Sequence, residues 1–219
     1  TTSVTMEDMI RFTTATKNAR KDSLIVSDLP INSYKTEEDA VTNSLKLIQA
    51  GADAVKLEGG KEVAKIITAI TESGIHVMGH LGLLPQTAEK YTVQGKTRED
   101  AIELINDSKI ITESGVFSIV LEMVTSQVAK IITEKITVPT IGIGSGKDCD
   151  GQVLVVHDML GLFEKIKPKF AKRYLSLSEE IRNAVKSYVT EVKEESFPGA
   201  GNEFQMDESE YNKLRKEIV

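Results

Sequence analysis

Cysteine occurs once in 219 residues, at Cys149, which excludes an intrachain disulfide and leaves no sign of an oxidising compartment. Positive charge is in deficit. Lys and Arg number 27 against 33 Asp and Glu, and the formal charge of −6 argues against a surface built around phosphate contacts. The one basic run, at 165–173, reads as a solvated face or a subunit contact. No apolar run approaches a membrane span and no signal-peptide pattern opens the sequence, so a cytoplasmic protein with neither nucleic-acid nor membrane partners is expected. What is present, 40% hydrophobic residues, suffices for one substantial core. A single domain over 1–219 is expected, with its core at about 1–175 and a C-terminal helix and tail at about 176–219.

Residues 50–60, Ala-Gly-Ala-Asp-Ala-Val-Lys-Leu-Glu-Gly-Gly, show the device repeated along the chain. A helix runs out at Gly51, a short apolar strand follows, and Lys56 and Glu58 stand where that strand ends. Gly74 and Gly115, each in a Glu-Ser-Gly, are the same punctuation. Helices are predicted over 6–21 behind Thr5, after Thr36 with Asp39, through Val63, Ile66, Ile67 and Ile70, after Thr97 with Asp100, and around Val128, Ile131 and Ile132. Strands are predicted at 24–30, 54–57, 75–82, 116–122, 139–144 and 152–158. Further on, Ser176 and Glu179 fit a capping box that opens a helix with the apolar stripe Ile181, Val185, Val189 and Val192. A loop at 197–202 and a polar tail from 207, compatible with a short helix, close the chain.

Apolar strands alternating with helices belong to a parallel sheet covered by helices. An open doubly wound sheet fits the count as well. A barrel explains more, because Asp28, Glu58, His80 and Glu122 end four successive strands and would converge on one mouth, where such barrels carry out chemistry. The fold class is therefore α/β, a (β/α)8 TIM barrel. Six strands are visible where eight are needed, so the first two are expected to be missing from this sequence, ahead of Thr1.

Asp28 and Glu58, with no His or Cys cluster nearby, suit a hard ion such as Mg²⁺, which commonly takes one or two carboxylates and fills its shell with water and substrate. They could equally be solvated strand-end acids or partners of Lys56. Glu122 follows an apolar run and stands at a poorly hydrated rim, where a raised pKa would suit a general base; pairing with a lysine or with His80 is the alternative. His80 fits hydrogen bonding behind the reacting groups as well as proton transfer. His157, on an apolar strand, is expected to be a core or rim residue. Residues 142–146, Gly-Ile-Gly-Ser-Gly, could cradle a phosphate but lack a dinucleotide spacing, which favours plain turn geometry or close backbone approach to substrate.

Taken together, Asp28-Leu-Pro, Val55-Lys-Leu-Glu-Gly-Gly60, Gly79-His-Leu-Gly82 with Pro85-Gln86, Val93-Gln-Gly95, Val120-Leu-Glu122, Ile141-Gly-Ile-Gly-Ser-Gly146, residues 150–158 and Lys167-Pro-Lys-Phe170 resemble the ketopantoate hydroxymethyltransferase family, in the same order, up to about Phe204. The resemblance implies a (β/α)8 barrel, Mg²⁺, and transfer of a one-carbon unit from 5,10-methylenetetrahydrofolate to 3-methyl-2-oxobutanoate, the first step of pantothenate biosynthesis. It implies Asp28 and Glu58 as metal ligands, Asp28 and Lys56 as substrate contacts, Glu122 as the proton acceptor, and a homo-oligomer, typically a decamer. Two departures stand out: the family's front segment, with another aspartate ligand and a substrate-contacting serine, has no counterpart here, and the loop at 89–92 is shorter. The alternatives left open are another Mg²⁺-dependent barrel acting on a 2-oxo acid and a truncated barrel serving only as a subunit.

Overall fold

A computed structural model describes residues 2–218; Thr1 and Val219, the ends of the expected domain, lie outside the described residues. The chain divides into two compact units, one up to Leu154 and one from Val155, where the sequence places the end of the core at about 175.

The first unit is a helix followed by strand and helix in alternation. Its elements are α1 (Met6–Ala19), β1 (Val26–Asp28), α2 (Glu37–Ala50), β2 (Ala54–Glu58), a short 3-10 turn (Lys61–Val63), α3 (Ala64–Glu72), β3 (Val77–Gly82), α4 (Arg98–Glu113), β4 (Ser118–Glu122), α5 (Ser126–Lys135), β5 (Thr140–Ile143) and β6 (Gly151–Gln152). The strands form one parallel sheet in the order β1-β2-β3-β4-β5-β6, each beside its sequence neighbour, which curls as part of a barrel.

Local chemistry starts and stops these elements as the sequence predicts. Thr5 caps α1 in a reciprocal box with Asp8, while Thr36 and Thr97 accept from the backbone N–H of Asp39 and Asp100. Gly51 closes α2 at φ +111, a left-handed conformation that only glycine adopts without strain, and donates to the carbonyls of Ile48 and Leu47. One side of each strand then packs under the helices. Leu47, Val55, Leu57, Ile67, Ile70, Val77, Ile111, Ile119, Leu121 and Ile132 are fully buried there, each worth about 1.5–3 kcal/mol of transfer free energy.

Two predicted features take another form. The sixth strand covers only Gly151 and Gln152, and the residues expected to continue it turn instead into α6 (Val156–Met159). A run of four apolar residues reads as a buried strand, but Val153, Val155 and Val156 are exposed, so nothing packs on them to hold them extended. His157, expected in a core or rim, is in consequence an exposed helical residue.

In the second unit, α6 is followed by α7 (Leu177–Lys193), a 3-10 turn (Ala200–Asn202) and α8 (Glu208–Ile218). The return segment runs beside α6, with Tyr174 and Leu177 donating to the carbonyls of Met159 and Leu160. Arg182 braces it by gripping both oxygens of Glu164, at 2.5 and 2.9 Å, and holds that carboxyl down at about 2. The capping box expected at Ser176 does not form: its side chain makes no cap bond, and its carbonyl accepts from Glu179 and Glu180 instead. Ile181, Val185, Val189 and Val192 do form one stripe, and it is exposed.

Candidate active site

Side chains alternate across a strand, so register decides which of them share a face. Asp28 pairs with Lys56, Glu58 with His80, and Gly82 with Glu122. Lys56 and Glu58 are two apart on β2, and Glu122 is two beyond Val120, the partner of His80. All five polar side chains therefore lie on the same face, opposite the one packed under the helices, at the C-terminal ends of β1 to β4.

The backbone pins that row. Leu29 N–H donates to the carbonyl of Lys56 at 2.8 Å, Gly59 N–H to that of His80 at 3.1 Å, and Leu83 N–H to that of Glu122 at 2.8 Å. The residue just past the end of each strand thus anchors a candidate site residue on the next. At the last of these junctions Gly82 has φ +96, and a Cβ there would lie on the carbonyl oxygen of Glu122. The turn beyond Glu122 is fully bonded: Met123, at φ +50, donates to Ile143 and accepts from Gln94, while the buried Ser145 hydroxyl donates to Leu121 and accepts from Val124 N–H. The glycine-rich stretch at 142–146 therefore serves here as a turn that fastens the end of β4.

The side chains form a chain of contacts across four strands. Lys56 Nζ lies 2.9 Å from Asp28 Oδ2 and 3.4 Å from His80 Nδ1, and His80 Nε2 lies 3.4 Å from Glu122 Oε2. A lysine ammonium only donates, so Nδ1 of His80 is the acceptor and the neutral ring carries its hydrogen on Nε2, toward Glu122. That approach falls outside hydrogen-bond geometry, which leaves Nε2 buried without a partner. Exposure is least at His80 and rises toward both ends of the row. Asp28 keeps 44% of its side-chain surface, Lys56 15%, His80 only 4% and Glu122 17%.

Glu58 stands beside this chain, and the residue is 7% exposed. Burial pushes its carboxyl above the usual carboxylate range, against the opposing effects of the Gln86 N–H, His80 and Lys56. Its Oε2 accepts from Gln86 N–H at 3.0 Å, and Lys56 is engaged with Asp28. Tyr34 lies close by, its phenol pushed up to about 12 by burial first and then by the charge of Glu58. It remains protonated and donates to Gln86 Oε1 at 3.0 Å.

No group of three or more His, Cys, Asp or Glu is arranged to hold a metal among the described residues. A poorly hydrated carboxylate whose nearest lysine pairs elsewhere, next to a half-exposed aspartate on the adjoining strand, nonetheless fits a hard cation that draws the rest of its ligands from water and substrate. Each sequence-predicted site residue lies on this face: Asp28, Lys56, Glu58, His80 and Glu122. Tyr34 and Gln86 were missed as site residues; Tyr34 carried no motif, and Pro85-Gln86 stood out only through the family resemblance.

A family model described as ketopantoate hydroxymethyltransferase matches residues 1–200. Among curated proteins, the 3-methyl-2-oxobutanoate hydroxymethyltransferase of Nitrosopumilus maritimus is 55% identical, covering 98% of this chain and 78% of its own length. The enzyme of the same name from Cenarchaeum symbiosum is 53% identical over 98% and 83%, and that of Clostridium botulinum Alaska E43 is 50% identical over 98% and 80%. Among solved structures, the phosphoenolpyruvate phosphomutase of Streptomyces platensis superposes with a TM-score of 0.55 at 12% identity, covering 99% of this chain and 80% of that one. A 2,3-dimethylmalate lyase of the PEP mutase/isocitrate lyase superfamily gives 0.52 at 13%, covering 99% and 79%. At such identities the structures speak to the fold, a TIM barrel.

Proposed function

The chain belongs to the ketopantoate hydroxymethyltransferase family, and from that premise we propose that it transfers the one-carbon unit of 5,10-methylenetetrahydrofolate to 3-methyl-2-oxobutanoate, giving 2-dehydropantoate. Enzymatic hydroxymethyl transfer follows from the family; the folate donor, the Mg²⁺ ion and the residue roles are our reading. The observation that carries it is the row Asp28–Lys56–His80–Glu122, each side chain within 3.4 Å of the next, with Glu58 beside it at one barrel mouth.

Asp28 and Glu58 would hold Mg²⁺, which supplies positive charge to the keto and carboxylate oxygens of the oxo acid when bound. Lys56 sits next to Asp28 and adds a second positive charge, favouring the anionic substrate and the charge that develops on its keto oxygen. Glu122 takes the C3 proton as general base, and C3 then bonds to the methylene carbon as its bond to one folate nitrogen breaks. Water supplies the new hydroxyl as the bond to the second nitrogen breaks, and the two nitrogens take up the proton from C3 and one from water as tetrahydrofolate leaves. His80 points its Nε2 hydrogen at Glu122 across 3.4 Å, so that a small movement of the carboxylate would make it the orienting donor. The family reading also brings a cytoplasmic location and a homo-oligomer, typically a decamer; no helix among the described residues is long and apolar enough to cross a membrane.

Exchange of the C3 hydrogen in D2O, followed by NMR without folate, isolates the proton step. Glu122→Gln should slow it by about 10²–10⁴-fold while Mg²⁺-dependent binding of the oxo acid persists. Exchange at the wild-type rate would remove Glu122 from the role of base. Product formation that does not require methylenetetrahydrofolate would point instead to another enzyme acting on a 2-oxo acid.

A further inference from the structure

Gln86 meets three residues at once in two segments of the chain, and these segments carry the carboxylates assigned above to the cation. It follows β3, in a turn where Thr87 and Ala88 both donate to the carbonyl of Leu84. It is 5% exposed, although glutamine usually lies at the surface. Its backbone N–H donates to Glu58 Oε2 at 3.0 Å, at the end of β2. Its side-chain Nε2 donates to the carbonyl of Leu29 at 2.9 Å, one residue past Asp28 at the end of β1. Its Oε1 accepts from Tyr34, in the connection leading to α2.

Chemistry fixes which way this amide faces. A peptide carbonyl only accepts, so the atom facing Leu29 must be the nitrogen, and the oxygen then faces Tyr34. With the amide so fixed, no flip satisfies both neighbours, and loss of the side chain would leave the Leu29 carbonyl without this donor in a buried place. Nothing in the proton transfer calls for an amide here. We infer that Gln86 is a positioning residue: it ties the end of β1 to the end of β2 through its side chain and backbone, and so sets the spacing at which Asp28 and Glu58 face one cation.

This rests on the metal reading above, and the test separates the two. Mg²⁺ is titrated calorimetrically into the full chain in the presence of 3-methyl-2-oxobutanoate, with thermal melting of the same samples. Gln86→Met keeps the volume and the backbone N–H but removes both side-chain bonds, and should weaken Mg²⁺ binding about 10–100-fold, the usual effect of losing a residue that orients metal ligands. Tyr34→Phe removes one of those bonds and should weaken it less, by about 2–5-fold. Ile67→Val, a core substitution beneath α3, lowers the melting temperature without moving Mg²⁺ affinity, which separates positioning from general loosening. Wild-type affinity in Gln86→Met overturns the clamp and leaves the metal reading standing. Should Gln86→Met not fold, unchanged affinity in Tyr34→Phe overturns it equally. Wild-type protein that takes up no Mg²⁺ overturns the metal reading and the clamp with it.

Discussion

Glu58 is a carboxylate in a place that disfavours its charge, and that has a consequence for stability as well as for ion binding. A carboxyl whose folded-state pKa is raised contributes stability that is fully present below its unfolded value and lost as pH rises through the folded one. At neutral pH Glu58 therefore works against folding, a cost that the proposed cation would offset. Glu58→Gln keeps an acceptor for the Gln86 N–H and should raise the melting temperature of the metal-free protein at about pH 7.5, by about 2–4 °C for each kcal/mol relieved. The gain should shrink as pH falls toward the ordinary carboxylate range, and if the proposed site holds, Mg²⁺ should stabilise the wild type but not this variant. Melting curves with and without Mg²⁺ at several pH values check both. The five polar residues on this face were legible in the sequence because each lies at or near the end of an apolar strand, where alternation fixes the side on which it stands. Gln86 and Tyr34 lie in connections with no period, and their meeting is created by the fold.

Among the elements, the junction between β3 and β4 constrains Glu122, the proposed base. Gly82 brings Leu83 N–H onto the carbonyl of Glu122, and any side chain at position 82 would occupy that oxygen's place. Gly82→Ala should cost about 1–3 kcal/mol in urea unfolding and displace Glu122, so that turnover falls as well. Gly74→Ala is the comparison: φ is also positive, at +84, but a Cβ there meets nothing, so it should cost about 1–2 kcal/mol and leave turnover alone. Glycine punctuation and threonine caps made the helices and the first five strands readable. The sixth strand and the Ser176 cap were misread because each depends on what lies beside it: Val153, Val155 and Val156 find no covering layer, and the Ser176 side chain does not reach the helix N-terminus.

For the whole molecule, the sequence conveyed the parallel barrel architecture but not the division at Leu154–Val155, since the apolar run 153–156 passes straight through it. Residues 160–176 carry no helix or strand, and Lys165, Lys169 and Lys172 are exposed along them. Trypsin under native conditions should cut first in this segment, releasing an N-terminal fragment that mass spectrometry would assign to an end at Lys165, Lys169 or Lys172; first cuts within 54–143 would contradict the reading. The in-order register of β1 to β4 bears on how such a protein can change length. One residue gained or lost inside any of those strands turns everything downstream in that strand inside out, sending Lys56 and Glu58, or His80, or Glu122 into the oily layer beneath the helices. Variation in length is thereby confined to the connections, and the mouth can be remodelled while its floor stays fixed.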